Sequence, residues 1–350
     1  HIDGLGDTLT TEYDYDDNGN VTSILHPSGN IFYYHYDSLD QVTMLTWTKT
    51  GSHYAVDTIA QNIEYMPFGD AKAWTLGNGL NVQRRYDQRY RVHWISAIDT
   101  VADTISVIRQ HDHYEYDPVG NVTSITDSLN PSHSVDYACD SRFRITEAAC
   151  SAFPDSARTY VYSGNNNRDT LLVDVDGNQE AVVYTYDDHN RLTQITDSVT
   201  RDLSYDSLGN LVRIIVGNDT TTFEYNDASQ LISIDDGSTA EYAYDARGRR
   251  VMVDEGSTRR YVFYDAAGRV ISTFKASDST WERDYVYLNG RPIAFLETPP
   301  PTPSPRSIDP PPPPAEPYID VYYYHNNHIG APVAVTDSVQ TVRWRGYYYP

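Results

Sequence analysis

The sequence predicts an all-β fold, a long antiparallel sheet of β-hairpins that curls. Two observations lead to this prediction. A Tyr-Asp corner followed by a short turn recurs about every 20 residues. The segments that flank each corner are rich in Tyr, Val, Ile and Thr, residue types that favour strands. The composition agrees with a tyrosine-packed sheet, since 31 of the 350 residues are tyrosine and 39% are hydrophobic.

The stretch YEYDPVGNVTSITD at 114–127 shows the local chemistry of the corner. Asp117 and Pro118 are preferred at the first two positions of a type I turn, where the Asp carboxylate accepts from a backbone N–H two residues on. Gly120 can take a positive φ without steric cost, which a turn followed by a bulge requires. The stretch therefore predicts a hairpin with strands at about 112–116 and 122–127.

The corner recurs along the whole chain, with weaker copies at 63–74, 137–148, 160–171 and 285–296. A unit of about 20 residues is one hairpin, and about fourteen hairpins would supply about 28 strands. The residues predicted to form the best corners are Tyr15, Asp16, Gly19, Tyr36, Asp37, Tyr86, Asp87, Tyr116, Asp117, Gly120, Asn121, Tyr186, Asp187, Tyr205, Asp206, Gly209, Tyr244, Asp245, Gly248, Tyr264, Asp265 and Gly268.

Apolar residues after the corners fall three apart, as in Val122 and Ile125 or Leu211 and Ile214. Positions three apart on a regular strand face opposite sides of the sheet. Either a bulge intervenes, or both faces carry apolar surface. Open twisted sheets rarely exceed about ten strands without curling, so we expect one long curled sheet. Its low aliphatic content argues against a thick packed core.

These corners, in register over nearly the whole chain, resemble the YD repeats of the RHS (rearrangement hotspot) family. The segment YYYHNNHIGAPVAVTD at 322–337 is similar to the end of the RHS core. The resemblance implies a spiralling hollow shell, as in bacterial polymorphic toxins, insecticidal toxin complexes and teneurins. It also implies a function, which is to encapsulate and shield an attached C-terminal toxin or effector. The residues that match the end of the core are Tyr324, His325, His328, Gly330 and Pro332.

The predicted organisation is a hairpin array at 1–298, a proline-rich insertion loop at 299–317 and the end of the RHS core at 318–350. Consecutive prolines favour polyproline II and cannot donate to a sheet ladder. The insertion is therefore expected to be an extended surface loop, or else a ligand for a proline-recognising partner. The chain starts without Met and ends inside the last motif, so we expect an excised fragment that lacks the family's self-cleavage segment and toxin.

No catalytic residue, cofactor or metal site is expected in this sequence. His325 and His328 lack a third ligand at a known spacing. The Asp-rich stretches near 14–20 and 174–178 fit hairpin turns better than calcium loops, whose twelve-residue register fails here. The estimated hairpin register puts Cys139 and Cys150 beyond disulfide reach, so both are predicted to be thiols.

The net charge of −23 disfavours nucleic acid and anionic membranes as partners. No apolar run is long enough to span a bilayer. We therefore expect a non-enzymatic shell segment, secreted or at the cell surface, whose partner is a C-terminal toxin or effector. A cell-surface adhesion or carbohydrate-binding module is the alternative, because stacked aromatic rings could hold glycans. An autoprotease is a third hypothesis, and the resemblance allows it only through residues that this sequence lacks.

Overall fold

The computed structural model describes residues 9–50, 56–67, 69–101, 104–150, 152, 157–175, 177–276, 280–298 and 319–348. Within these residues the fold is all β, with 29 strands and one 3-10 turn at Pro131–His133. The strands form one antiparallel sheet, and wherever the register of a strand pair is defined the two strands are neighbours in the sequence. The predicted all-β antiparallel fold is therefore confirmed.

The strands follow one another in hairpins from the first corner to the last. The first fifteen are β1 Glu12–Tyr15, β2 Val21–Leu25, β3 Asn30–Tyr36, β4 Val42–Lys49, β5 Asp57–Tyr65, β6 Ala71–Leu76, β7 Asn81–Tyr86, β8 Val92–Val101, β9 Thr104–Tyr116, β10 Val122–Asp127, β11 Val135–Cys139, β12 Ile145–Ala149, β13 Ala157–Tyr162, β14 Arg168–Val175 and β15 Asn178–Tyr186. The others are β16 Leu192–Thr196, β17 Thr200–Tyr205, β18 Leu211–Val216, β19 Asp219–Tyr225, β20 Leu231–Ile234, β21 Ala240–Tyr244, β22 Arg250–Glu255, β23 Thr258–Tyr264, β24 Val270–Lys275, β25 Trp281–Leu288, β26 Arg291–Glu297, β27 Asp320–Asn326, β28 Pro332–Thr336 and β29 Val342–Arg345.

A β-bulge follows the turn in these hairpins and explains the apolar spacing of three. In the β9–β10 hairpin Tyr116 pairs with Val122, but Glu115 pairs with Ser124, so Thr123 is the extra residue. The same shift accompanies the pairing of Tyr205 with Leu211. An extra residue shifts the alternation of side chains along the strand. The first of the two alternatives, an intervening bulge, is therefore present.

The strands of the first compact unit, residues 1–110 and 260–346, enclose a substantial core. Buried side chains from the early hairpins, including Phe32 and Trp47, pack in one cluster with Val286, Leu296 and Tyr323 from the late ones. The expectation that the chain lacks a thick core is wrong here. Hairpin periodicity specifies only neighbouring strands, whereas this core joins segments that are far apart in the sequence.

The second compact unit, residues 111–259 and 347–350, is built differently. Most side chains of its strands are half-buried, and the strands pack principally against their sequence neighbours. A small buried cluster contains Val135, Ala148, Cys150 and Tyr160. Both cysteines are free thiols, and the Cys150 sulfur lies 3.4 Å from the carbonyl oxygen of Ser132. This unit is a thin sheet of the kind the composition predicts.

The predicted proline-rich loop at 299–317 lies outside the described residues. The strands on either side of it are paired directly, since Glu297 of β26 lies opposite Asp320 of β27. None of the described helical segments is long and apolar enough to cross a membrane.

Candidate functional site

The repeated corner is organised around its aspartate. In the corner at 117–121 one carboxylate oxygen of Asp117 accepts from the backbone N–H groups of Val119, Gly120 and Asn121 at 3.0, 2.6 and 2.8 Å. Gly120 has a φ of 110°, in the left-handed region that favours glycine. The Asp117 N–H donates to the Asn121 carbonyl at 2.9 Å and closes the hairpin. Asp117 therefore satisfies turn amides that would otherwise need water.

The second carboxylate oxygen binds the last residue of the turn, a contact that the sequence analysis did not foresee. Arg191 donates to Asp187 through both its backbone N–H and its guanidinium, at 2.9 and 2.7 Å. The available signal was that this position, four residues after the Asp, is almost always Arg, Asn or Gln. The pairing is seen for Arg91, Arg144, Arg191, Arg249, Arg269, Asn20, Asn121 and Asn210.

In seven of the described repeats the corner tyrosine ties its hairpin to the one before it. The Tyr205 hydroxyl donates at 2.7 Å to the carbonyl of Leu192, the residue that begins the return strand of the preceding hairpin. The sequence predicts that tyrosine packs within the sheet but does not predict this hydrogen bond. It recurs at 2.7–3.0 Å from Tyr36, Tyr65, Tyr162, Tyr186, Tyr205, Tyr244 and Tyr287. We call this set the tyrosine ladder.

Arginine of the preceding corner covers the ladder tyrosine in several repeats. Arg144 lies 4.3 Å from the ring centre of Tyr162, and Arg191 lies 5.3 Å from that of Tyr205. A guanidinium over a tyrosine face is attracted by the ring quadrupole. The same arginine holds the aspartate of its own corner, so one side chain links two hairpins.

The corner geometry shifts the pKa values of both groups. The backbone N–H and guanidinium of Arg191, despite burial, hold the pKa of Asp187 below its usual value. Burial raises the pKa of Tyr65 and of Tyr287 to about 12. Each corner thus favours a charged carboxylate beside neutral phenols at ordinary pH. These are structural contacts, and none of them places a nucleophile against a base.

A buried carboxylate joins the early and late hairpins of the first unit. Asp284 of β25 is fully buried and accepts from Ser28, Asn30, Ser272 and the Trp281 indole. His26 also lies beside it, with its Nδ1 3.5 Å from an Asp284 oxygen. No local sequence pattern predicts this cluster, since Asn30 and Asp284 are 254 residues apart.

The predicted end motif forms one more corner. Asn327 takes the place of the aspartate and accepts from the N–H groups of Ile329 and Ala331 at 3.1 and 3.0 Å. His325 is buried, with its Nε2 2.9 Å from the Thr336 hydroxyl. Burial lowers the pKa of His325 to about 3 and lowers that of His328. The described residues contain no cluster of three potential metal ligands.

The rest of the end motif follows the corner geometry. Gly330 has a φ of 88°, Pro332 begins β28 opposite Asn326, and Tyr324 pairs with Val335. The sequence similarity to the end of the RHS core therefore falls on a hairpin built like the others.

A tyrosine-lined cavity of about 570 Å³ lies within the first unit. Rings from the first three hairpins meet residues of the β23–β24 corner there, and the Tyr13 hydroxyl accepts from the Ala266 N–H at 3.2 Å. On its wall Asp265 and Arg269 form an ion pair at 2.6 Å. Its tyrosines are Tyr13, Tyr15, Tyr34, Tyr36, Tyr65 and Tyr287.

Solved structures share this fold. The Tc holotoxin pore of Photorhabdus luminescens with a TccC3 mutation matches 97% of this chain at a TM-score of 0.71 and 19% identity. A TcdB2-TccC3-Cdc42 structure matches 97% at 0.67 and 18% identity, and TcdB2-TccC3 without its hypervariable C-terminal region matches 97% at 0.64 and 17% identity. This chain spans 17–18% of those chains. No protein-family model and no curated protein sequence matches. The fold implied by the RHS/YD-repeat resemblance is confirmed.

Proposed function

We propose that this chain is a wall segment of an RHS-repeat shell that encloses and shields an attached C-terminal toxin or effector. The observation that supports this most is the fold similarity to TccC3-containing toxin structures along 97% of the chain. One of those structures is of TcdB2-TccC3 without a hypervariable C-terminal region. We propose that a region of this kind is the cargo and that the repeats form the wall around it.

The mechanism would be steric. Most side chains of the second unit's strands are half-buried, which supports a role for this sheet as a partition between two spaces. Corner carboxylates, turn amides and ladder hydroxyls are consumed by contacts within the wall, and we propose that this segment performs no chemistry of its own. Secretion or display at the cell surface is part of the same proposal.

Protease protection tests enclosure directly. The full-length protein that contains these repeats is digested, and the cleavage rate of the polypeptide that follows them is compared with that of the same polypeptide expressed alone. Enclosure predicts cleavage at least tenfold slower in the full-length protein. Equal rates in the two samples would refute it. Digestion after denaturation controls for sites that are intrinsically resistant.

The tyrosine-lined cavity favours the second candidate, a carbohydrate-binding module. Tyrosine rings can stack on sugars, and the cavity is large enough for a small saccharide. A glycan array probed with this chain separates the two candidates. Specific submillimolar binding that Tyr34→Ala abolishes would favour the carbohydrate module, whereas no specific binding is expected of a wall segment.

A further inference from the structure

A second, much smaller cavity lies in the first unit between β6, β7 and the β25–β26 turn. Its wall includes Asp70, Trp74, Arg84, Arg291 and Asn326. Arg84 and Trp74 are both 6% exposed, so their polar atoms have left water. The Arg84 guanidinium lies 5.2 Å from the Trp74 ring centre.

Several hydrogen-bond donors around this cavity are unused. Arg84 Nε, Arg291 Nη1 and Trp74 Nε1 are buried and have no hydrogen-bond partner. The same wall also carries one buried acceptor without a partner, the Asn326 Oδ1. Burying an unpaired donor costs about 1–3 kcal/mol, and such groups are rare in folded proteins. Three unpaired donors against one unpaired acceptor indicate that a bound group on this cavity mainly accepts hydrogen bonds.

The charged groups around the cavity also indicate that an acceptor is missing. Arg84 has no ion pair within the described part of the chain. Burial, with a contribution from Arg291, lowers the pKa of Arg84 to about 10. Asp70 is the carboxylate on the cavity wall; it is half-exposed and lies 3.2 Å from Arg291. Two guanidinium groups therefore share one carboxylate, and a buried charge left without a partner is strongly unfavourable.

We propose that this cavity binds a small inorganic anion of halide size, held by Arg84 Nε, Arg291 Nη1 and Trp74 Nε1. The accessible space is about 10 Å³, which suits a single particle about as large as water and is too small for phosphate. A water molecule could accept the hydrogen bonds but would leave the second guanidinium uncompensated. An anion satisfies both requirements. Asp70 is half-exposed and Arg291 partly exposed, so the ion would enter from their side of the cavity.

Halide titration of thermal stability tests the site. The unfolding midpoint of the chain is measured against sodium bromide, with sodium gluconate holding the ionic strength constant. A ligand that binds only the folded state raises stability with the logarithm of its concentration, by about 2 °C in the midpoint of this chain per tenfold step at concentrations well above the dissociation constant. Arg84→Met and Arg291→Met should each abolish this dependence.

Arg85→Met is the matched control, because Arg85 is the next residue of β7, is exposed and carries the same charge. It should keep the bromide dependence of the native chain. A crystal grown in bromide should show anomalous density between Arg84 and Arg291. The proposal is wrong if the unfolding midpoint does not change with bromide concentration, or if Arg85→Met loses the bromide dependence as fully as Arg84→Met does. It is also wrong if the crystal shows water alone in the cavity. The crystal decides the matter even if Arg84→Met does not fold.

Discussion

Tyr205→Phe isolates the contribution of one bond of the tyrosine ladder. The substitution removes the hydroxyl that donates to the Leu192 carbonyl at 2.7 Å and keeps the ring beneath Arg191. It leaves packing nearly unchanged, since the ring is retained. The change therefore tests the hydrogen bond that joins the β17–β18 hairpin to the β15–β16 hairpin.

The expected loss is about 1 kcal/mol, the net value of a typical intramolecular hydrogen bond. Removing the ring as well, with Tyr205→Leu, should cost roughly 0.5–1 kcal/mol more through the lost contact with Arg191. Consecutive hairpins are about 10 Å apart, so effects at separate corners should add. Combining Tyr186→Phe, Tyr205→Phe and Tyr244→Phe should then cost about 3 kcal/mol.

Urea unfolding followed by circular dichroism measures the single and triple variants. Tyr15→Phe is the control, because Tyr15 belongs to the first corner and its ring is 58% exposed. It should change the unfolding midpoint by less than Tyr205→Phe does. If Tyr205→Phe and the triple variant unfold together with Tyr15→Phe, the ladder does not stabilise the array.

Three further outcomes follow from the corners. Gly209 has a φ of 90° and open space around it, so Gly209→Ala should cost about 1–2 kcal/mol from backbone strain alone, whereas Gly164→Ala, also in open space, should be nearly neutral in the same urea titration. The pKa of the Asp187 carboxyl is lowered in the folded state, so its contribution to folding stability is present above about pH 4 and is lost as the pH falls through the folded pKa. Asp187→Asn should therefore reduce the fall of the urea midpoint at acid pH. The pKa values of Tyr65 and Tyr287 are raised from 10.0 to about 12, so their contribution to folding stability is complete below pH 10 and is lost as the pH rises toward 12. Tyrosinate absorbance should then rise over the same pH range in which the β circular dichroism signal is lost.

The hairpins could be predicted because the corner chemistry is local. An aspartate, its turn amides and a glycine of positive φ lie within five residues, and the same set repeats. The apolar residues three apart allowed either a bulge or apolar surface on both faces, and the structure shows the bulge. The predicted start of β9 is wrong. The strand begins at Thr104, well before the expected residue 112.

The contacts between hairpins were less predictable for two different reasons. The sequence shows that arginine recurs at the position of Arg191. It does not show that this arginine contacts the tyrosine ring of the next hairpin, because only the folded sheet brings the two side chains together. The cluster at Asp284 has no sequence signal at all. Nothing in a local repeat says that Asn30 will donate to a carboxylate 254 residues later.

Contacts between neighbouring hairpins and contacts between distant hairpins stabilise the chain in different ways. Each bond of the tyrosine ladder joins two neighbouring hairpins, so the ladder's contribution to stability is a sum of nearest-neighbour terms, as in other repeat proteins. The buried Asp284 joins Ser28 and Asn30 to β25 across most of the sequence, so losing it would leave several buried donors unpaired at once. A sheet held by ladder bonds alone would fray from either end, whereas the early and late hairpins of the first unit hold one another. The core of the first unit is therefore where the sheet most resists opening.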